Sequence, residues 1–357
     1  MESDDLVHWL LRNAGPIIKY RTLRDIVNEQ DIGTIAYALE ELLKAPPIPE
    51  WLERLQPDFE FNALQSGRIT AYENVMGKLV QLGLRAGLQP FDNRTLPFRA
   101  WLSDYPEDSA EIAFSVFLQT IVASFLSFAG YGTTQPVSNY LKSRLEVLYS
   151  FAHNPDFHSV YVDKSRYKGI PKSYDAHRLV NPELCLEQRF ALPWIHDIRG
   201  IAYCNDIMEN VKHREQAEVV ARMILTEEYQ ALPWNYGIVK YGKKYYVVGW
   251  AIHLPGYSKK PEGREFAEML LTLETMAIFK SIRKSKWFTD SLQYLEEFQS
   301  DSGTYVFPRA WLPEKTNRGY WVGGEYMAFD DRKGRKDAIE CESTFRVLTI
   351  KKRSDIL

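Results

Sequence analysis

The sequence predicts an all-α protein in which short helices follow one another along the chain and pack in pairs. Apolar residues recur at three- and four-residue spacing in most segments of the 357-residue chain, which is the helical period. Gly and Pro interrupt these segments at short intervals, and only Gly237–Val248 has the pattern of a β-hairpin. Because each helix must bury an apolar face, we expect helix pairs that close into a ring, with minor β-hairpin content.

The overall composition is that of a globular protein with a large core. Apolar residues make up 45% and charged residues 25% of the chain, as in ordinary folded domains. The net charge of −3 provides no basic excess, so we expect no nucleic-acid partner. No sequence feature identifies a protein partner.

Aromatic residues reach 13%, with 9 Trp, 21 Tyr and 18 Phe. Tyr and Trp combine a large apolar body with a polar tip, so they can line a pocket that is apolar yet offers hydrogen bonds. We therefore predict a central, aromatic-lined pocket for a hydrophobic small molecule. The alternative is that these side chains simply fill a large core.

Three features predict a cytoplasmic protein without a transmembrane segment. The three cysteines, Cys185, Cys204 and Cys341, form no CxxC pair, and so sparse a count suits a reducing compartment. The first five residues include three acidic side chains, where a signal peptide would be basic. The longest apolar run, residues 112–129, contains five hydroxyl or amide side chains. We interpret it as a buried core helix rather than a membrane span.

Residues 1–48 are predicted to form a short N-terminal helical cap, and residues 49–357 one continuous toroid-like domain. The cap holds three short segments with helical periodicity, of which a Gly-Pro pair at 15–16 separates the first two. A Pro-rich segment at 46–49 ends the cap. No Gly/Ser-rich linker follows it, so we expect the cap to dock on the domain.

The remaining chain is predicted to alternate helices with irregular segments. Residues 51–61 are expected to be irregular, and residues 97–106 to lead into a turn region, because both contain Pro. Residues 153–190 are polar and without periodicity, and so long a loop is expected to cover a site. Helices are predicted at 70–84, 112–129, 138–151, near 197, and at 214–226, 262–279, 287–298 and 340–350.

A short motif follows the helix predicted to end near residue 298. Gln299 near a helix end can bind free backbone groups, Gly303 permits a tight turn, and Tyr305 can close the corner. The motif resembles the QxxxGxW repeat that tightens the outer helices of squalene-hopene-type cyclases, with Tyr305 in place of Trp.

Four further stretches resemble uncharacterised bacterial proteins grouped with the squalene-cyclase-like and prenyltransferase-like toroids. Together they span most of the chain, and the resemblance implies a shared terpenoid-cyclase-type α/α toroid fold without a settled activity. The stretches are residues 17–22, 72–79, 192–197 and 319–322.

The catalytic motifs of these cyclases are not found in the sequence. There is no internal DxDD, and the pair at 330–331 fails as a DDxxD magnesium site because Gly334 stands in the fifth position. We interpret that pair as a solvated turn. Cys204, Asp206 and His253 are the residue types that hold zinc in protein prenyltransferases, but Cys and Asp stand in reversed order. We therefore predict no metal and no cofactor.

The strongest candidates for proton transfer lie close together in the sequence. His196, Asp197 and Arg199 fall within four positions, and a His titrates near neutral pH. We predict Asp197 and His196 as catalytic residues, with His253 as a further proton donor or acceptor. The alternatives are a helix cap for Asp197 and a hydrogen-bonded core position for His253.

Seven residues are predicted to bind the substrate. Aromatic rings would stabilise a carbocation intermediate through cation–π interaction, and two charged side chains would orient the ligand. These residues are Trp194, Arg199, Trp250, Tyr257, Tyr305, Trp321 and Glu325.

The leading hypothesis is a terpenoid cyclase- or prenyltransferase-like protein that binds an isoprenoid or other hydrophobic small molecule. Whether it is an enzyme stays open. One alternative is a non-catalytic helical-repeat scaffold or binding module. Another is a carbohydrate-active α/α barrel, for which Asp197 and Glu325 would be the carboxylate pair. Convergence of His196, Asp197 and His253 on one concave pocket would favour an enzyme.

Overall fold

The computed structural model describes residues 3–104, 115–188, 190–313, 318–329 and 335–356. These residues are mostly helical, as predicted, with one small sheet. The α-helices are α1 (Ser3–Asn13), α2 (Pro16–Arg21), α3 (Ile32–Lys44), α4 (Pro47–Arg54), α5 (Phe61–Leu64), α6 (Tyr72–Gln81), α7 (Gln89–Asp104), α8 (Ser115–Leu126), α9 (Gln135–Ala152), α10 (Ile195–Ala202), α11 (Asn205–Met208), α12 (Val211–Ile224), α13 (Glu227–Gln230), α14 (Gly263–Met276), α15 (Lys280–Arg283), α16 (Lys286–Glu296) and α17 (Ala338–Arg353).

The sheet contains the predicted hairpin and two strands that the sequence did not predict. The hairpin consists of β3 (Gly237–Tyr241) and β4 (Lys244–Val248); β1 (Tyr161–Val162) and β2 (Leu179–Val180) precede it. The strand order is β1-β2-β3-β4, with only the β2–β3 pair parallel. Strands of two residues are too short to show an alternation of apolar and polar residues. Residues 153–190 were therefore predicted to be a loop.

The chain divides into two compact units. Unit 1 comprises Met1–Pro97 and Pro255–Leu357, and unit 2 comprises Phe98–Leu254. Residues 1–48 belong to unit 1 together with the helices that follow them, and the cap boundary at residue 49 stays a prediction.

In unit 1, α6 is buried on every face and its polar side chains bind the loop at 319–329. Asn74 accepts a hydrogen bond from the Trp321 main-chain N–H at 2.7 Å, and Lys78 donates to the Tyr326 carbonyl at 2.8 Å. The Trp321 indole donates to Gln81 Oε1 at 2.6 Å. Buried polar groups need such partners, so α6 and this loop fix each other's position.

In unit 2, α8 packs against α10 and α9 against α12. Gly200 of α10 permits close approach, because a Cβ there would stand 2.7 Å from a Leu141 methyl and 3.1 Å from Ser124 Cα. The predicted buried helix at 112–129 is confirmed over Ser115–Leu126, and a π-helical turn follows. Residues 112–114 lie outside the described residues. Among the helices that the structure describes, none is long and apolar enough to cross a membrane.

One proline-containing segment, residues 51–61, was predicted wrongly in part. Residues 51–54 belong to α4, which begins at Pro47, because Pro is well accommodated in the first turn of a helix. Helix α7 continues through Pro97 to Asp104, and the turn region predicted at Pro106 lies outside the described residues. The interior Pro removes one hydrogen bond, and the burial of Phe91, Phe98 and Leu102 offsets that loss.

Candidate functional site

The predicted site residues fall in both units. Six lie in unit 2 and four in unit 1. The unit 2 residues are Trp194, His196, Asp197, Arg199, Trp250 and His253, and the unit 1 residues are Tyr257, Tyr305, Trp321 and Glu325.

Both carboxylate oxygens of Asp197 are engaged in the core of unit 2. Arg144 of α9 donates through Nε to Oδ1 at 3.0 Å and through Nη2 to Oδ2 at 2.8 Å. Oδ2 also accepts from the Trp194 main-chain N–H at 3.0 Å, which caps the start of α10. Asp197 and Arg144 are both buried. This geometry corresponds to the helix-cap alternative, with a bidentate ion pair that joins α10 to α9.

His196 is fully buried among aromatic rings. Its ring centroid lies 5.6 Å from that of Phe117, 5.8 Å from Trp250 and 6.2 Å from Phe125. Burial, with a smaller contribution from the Arg199 charge, holds the pKa of His196 well below its usual 6.5. The imidazole is therefore neutral at pH 7.

Acid is expected to destabilise the fold through His196. The unfolded chain binds a proton at this residue below about pH 6.5, whereas the folded state resists protonation until a much lower pH. The unfolded state then binds more protons, so the free energy of unfolding falls as pH drops below 6.5 and is unaffected above it. Urea unfolding of His196→Phe should show a flatter dependence between pH 6.5 and 5, by up to about 1.4 kcal/mol per pH unit.

The matched control for this measurement is His158→Phe, at an exposed position of unit 2. A side chain that stays in water in both states should leave the pH slope as in the parent. Equal slopes for the parent and His196→Phe would contradict the prediction.

The other predicted residues of unit 2 are mostly parts of its core. The Trp194 ring stacks on Phe190 at 5.2 Å and is 3% exposed. Arg199 is buried, with its guanidinium 5.8 Å from the Phe125 ring centroid. The part-buried His253 ring lies 2.8 Å from the Leu232 carbonyl, as the core alternative predicts.

Tyr305 forms the predicted corner after α16. The Gln299 amide donates to the Gly303 carbonyl at 3.1 Å, and Gly303 takes a φ of +85°. The buried Tyr305 hydroxyl donates to Glu296 at 2.7 Å and accepts from Lys351 at 2.8 Å. The predicted corner at Gln299–Tyr305 is therefore confirmed. Its hydrogen bonds give Tyr305 a structural role.

Trp321 and Glu325 lie in the loop that binds α6. Trp321 is 1% exposed, so its ring is a core element of unit 1. One Glu325 carboxylate oxygen lies 3.8 Å from Arg264 Nε, and this pair is partly open to solvent. A partly exposed ion pair at this distance contributes little to stability.

Tyr257 is an exposed residue that lines a cavity. The cavity belongs to unit 1, has a volume of about 490 Å³, and is bordered by residues 256–261, Met269 and α16. This volume lies within the range of about 300–1,000 Å³ that is usual for small-molecule sites. Tyr257 is 38% exposed, whereas Met269 is fully buried at the base. We call this cavity the Tyr257 groove.

The Tyr257 groove combines an apolar base with a basic rim. Pro261 and the Tyr294 ring add to the base, and the Tyr294 hydroxyl donates to the Pro261 carbonyl at 3.1 Å. The rim carries Lys259, Lys260 and Lys286, and Lys260 Nζ lies 5.0 Å from the Tyr294 ring centroid. Burial raises the pKa of Tyr294, so its hydroxyl stays protonated at pH 7.

Each rim lysine is paired with an acid, so the charge of the rim is largely balanced within the protein. The pairs are Lys259–Glu265, Lys260–Glu297 and Lys286–Asp290. Glu297 and Asp290 line the cavity with the three lysines, whereas Glu265 pairs with Lys259 from outside the lining. Of the residues that line this cavity, Tyr257 was predicted from the sequence. The Lys259-Lys260 pair beside Tyr257 was the sequence feature that could have indicated the other residues of this cavity.

A second cavity in unit 1 has a different chemistry. It measures about 560 Å³ and is lined by charged and polar side chains, with Ala63 as the apolar residue. Without an apolar wall it does not suit a hydrophobic ligand.

No group of three His, Cys, Asp or Glu side chains within the described ranges is arranged to hold a metal ion. The zinc-type residues have other partners: the Cys204 thiol contacts the Gly132 carbonyl at 3.1 Å, and Asp206 accepts from Ser138. Burial raises the pKa of Cys204 to about 11, which disfavours the thiolate that zinc requires. The acidic pair at 330–331 lies outside the described residues.

Comparison with known proteins identifies no relative of this chain. No protein-family model matches the chain, and neither a curated protein nor a solved structure is significantly similar to it.

Proposed function

We propose that the protein binds an isoprenoid or related amphiphile in the Tyr257 groove, with the apolar chain on the base and an anionic head group at the lysine rim. The observation that carries the proposal is the joint presence of an apolar base and a rim of three exposed lysines in one cavity of suitable size. A ligand with an apolar chain and a phosphate or diphosphate end is complementary to both.

The proposal keeps the terpenoid-cyclase- or prenyltransferase-like α/α toroid as the fold. Its support is the high helix content, the pairing of α8 with α10 and of α9 with α12, and the corner at Gln299–Tyr305. An experimental structure that showed the helix pairs in an open, non-cyclic order would contradict this part.

We further propose that the protein binds this ligand without transforming it, as the binding-module alternative holds. A carboxyl group that acts as proton donor must be able to take up and release a proton. Both oxygens of Asp197 instead accept hydrogen bonds from Arg144 or the main chain. Incubation with polyprenyl diphosphates and with squalene, followed by extraction and mass spectrometry, should return the starting compounds. A cyclised or prenylated product would overturn this part.

Replacing Tyr257 with Ala should weaken binding of farnesyl diphosphate by about 5- to 30-fold. The ring contributes apolar contact area at the groove, and an aromatic contact of this kind is worth about 1–2 kcal/mol. Lys260→Gln should weaken farnesyl diphosphate more than farnesol, because only the diphosphate needs the positive rim. Isothermal titration calorimetry of both ligands measures the two effects.

The matched controls lie elsewhere in unit 1. Tyr37→Ala removes a ring that is 68% exposed on α3, and Lys44→Gln removes an exposed, ion-paired lysine. Both should bind as the parent does. Unchanged affinity in Tyr257→Ala, or no binding of either ligand by the parent, would contradict the proposal.

A further inference from the structure

Strand β4 is an edge of the sheet, and some of its main-chain groups have no partner in the part of the chain that the structure describes. The strand order ends at β4, and its neighbour on the other side is β3 alone. Tyr241 pairs with Lys244 across a two-residue turn that begins at Gly242. Hydrogen-bonded and non-hydrogen-bonded pairs alternate from there, so the N–H and C=O groups of Tyr245 and Val247 point away from β3. Neither residue forms a main-chain hydrogen bond to another described segment.

The hairpin that carries this edge is strongly basic. Lys240, Lys243 and Lys244 are exposed, and no Asp or Glu occurs between residues 237 and 248. None of these three lysines has an acidic partner among the residues that the structure describes. They differ in this from the paired lysines of the Tyr257 groove. In a chain of net charge −3, the hairpin is a local cluster of uncompensated positive charge.

Apolar surface is exposed at the opposite end of the strand. Val247 is 39% and Trp234 48% exposed, and a Cβ on Gly249 would stand 3.6 Å from the Trp234 ring. The Trp234 ring contacts that of Trp250 at 5.0 Å. Trp250 has a φ of +68°, a conformation that is costly for a bulky side chain and is often found at binding sites.

We propose that the free edge of β4 binds an extended acidic peptide segment of a partner protein as a fifth strand. Its main chain pairs with Tyr245 and Val247. Its acidic side chains reach Lys243 and Lys244, and an apolar side chain packs on Trp234. A second copy of this chain is a poorer partner, because its own hairpin contains no Asp or Glu that could pair with Lys243 and Lys244. This surface lies in unit 2, and the proposal does not depend on the ligand of the Tyr257 groove.

The probe is a short fluorescein-labelled peptide of alternating Glu and Val that ends in Trp. Fluorescence anisotropy should show saturable binding to the full chain that weakens as salt is added. The same peptide with Lys in place of Glu should not bind. No saturation by the acidic peptide, or tighter binding of the basic peptide or of single-stranded nucleic acid, would overturn the proposal.

Two variants separate main-chain pairing from charge. Val247→Pro removes the outward N–H but leaves the ladder to β3 intact, since Pro is tolerated on the free side of an edge strand. It should weaken peptide binding by tenfold or more, while Val247→Ala, which keeps the N–H, binds nearly as the parent does. The double change Lys243→Glu with Lys244→Glu should also cost at least tenfold.

Circular dichroism and thermal unfolding of each variant establish that the fold persists before affinity is compared. Parent-like affinity in a folded Val247→Pro variant would rule out strand addition. Parent-like affinity in the lysine variant would rule out an acidic partner.

Discussion

Asp197→Asn is expected to lower the free energy of unfolding by about 3–5 kcal/mol, because it leaves the buried Arg144 guanidinium without a counter-charge. The amide nearly matches the carboxylate in shape, so the loss would come from the unpaired charge rather than from a cavity. Urea or guanidinium unfolding at neutral pH measures the change. Arg144→Met should produce an effect of similar size.

The control for this prediction is an exposed ion pair of the same type. Lys44 and Glu40 lie 2.7 Å apart on α3, with side chains 61% and 64% exposed. Lys44→Met should change stability by less than about 0.5 kcal/mol, because solvent screens exposed pairs. The double variant of Asp197 and Arg144 to apolar residues should lose less than the sum of the single losses.

This experiment also tests the assignment of Asp197. A structural ion pair predicts a large loss of stability in Asp197→Asn and no change in any ligand turnover. If the variant unfolded like the parent but lost a measurable activity, the catalytic prediction made from the sequence would regain support.

The second large effect is expected for Gly77→Ala in α6. A Cβ at this position would stand 2.4 Å from Cδ2 and 2.6 Å from Cε3 of the Trp321 indole. The indole cannot move away easily, because its Nε1 binds Gln81 and its main-chain N–H binds Asn74. Overpacking of this kind costs about 1–3 kcal/mol, and the cost should exceed the gain of about 1 kcal/mol from the higher helix propensity of Ala.

Gly33 of α3 supplies the matched control for a helical glycine. A Cβ there meets only the Asp31 carboxylate, at 3.3 Å, so Gly33→Ala should change stability by less than about 1 kcal/mol. In a Trp321→Phe background the smaller ring should make Gly77→Ala less costly, and a double-mutant cycle measures that coupling. Parent-like stability of Gly77→Ala alone would show that the indole can shift after all.

Local chemistry allowed several elements to be predicted from the sequence. Gln299, Gly303 and Tyr305 act within seven consecutive residues, and their corner is formed as expected. The β3–β4 hairpin is likewise set by a two-residue turn between alternating strands. Helix α12 at Val211–Ile224 lies close to the predicted 214–226. In each case the residues that decide the structure are neighbours in the chain.

The site could not be predicted to the same degree, because its chemistry depends on distant partners. Asp197 meets Arg144 from another helix, and nothing in the sequence around Asp197 indicates that guanidinium. Lys286 and Tyr294 border the same groove as Tyr257, although about 30 or more residues separate them in the chain. Aromatic content alone could not distinguish core rings such as Trp321 from the exposed ring of Tyr257.

The sequence by itself determined the high helix content, the hairpin and the corner after α16, since periodicity, turn residues and caps act over a few residues. Only the tertiary structure decided which polar side chains form hydrogen bonds within the core and which remain accessible to a ligand. The difference is physical. A carboxylate or an indole has the same chemistry everywhere in a sequence, and its role depends on the groups that folding brings within hydrogen-bonding distance.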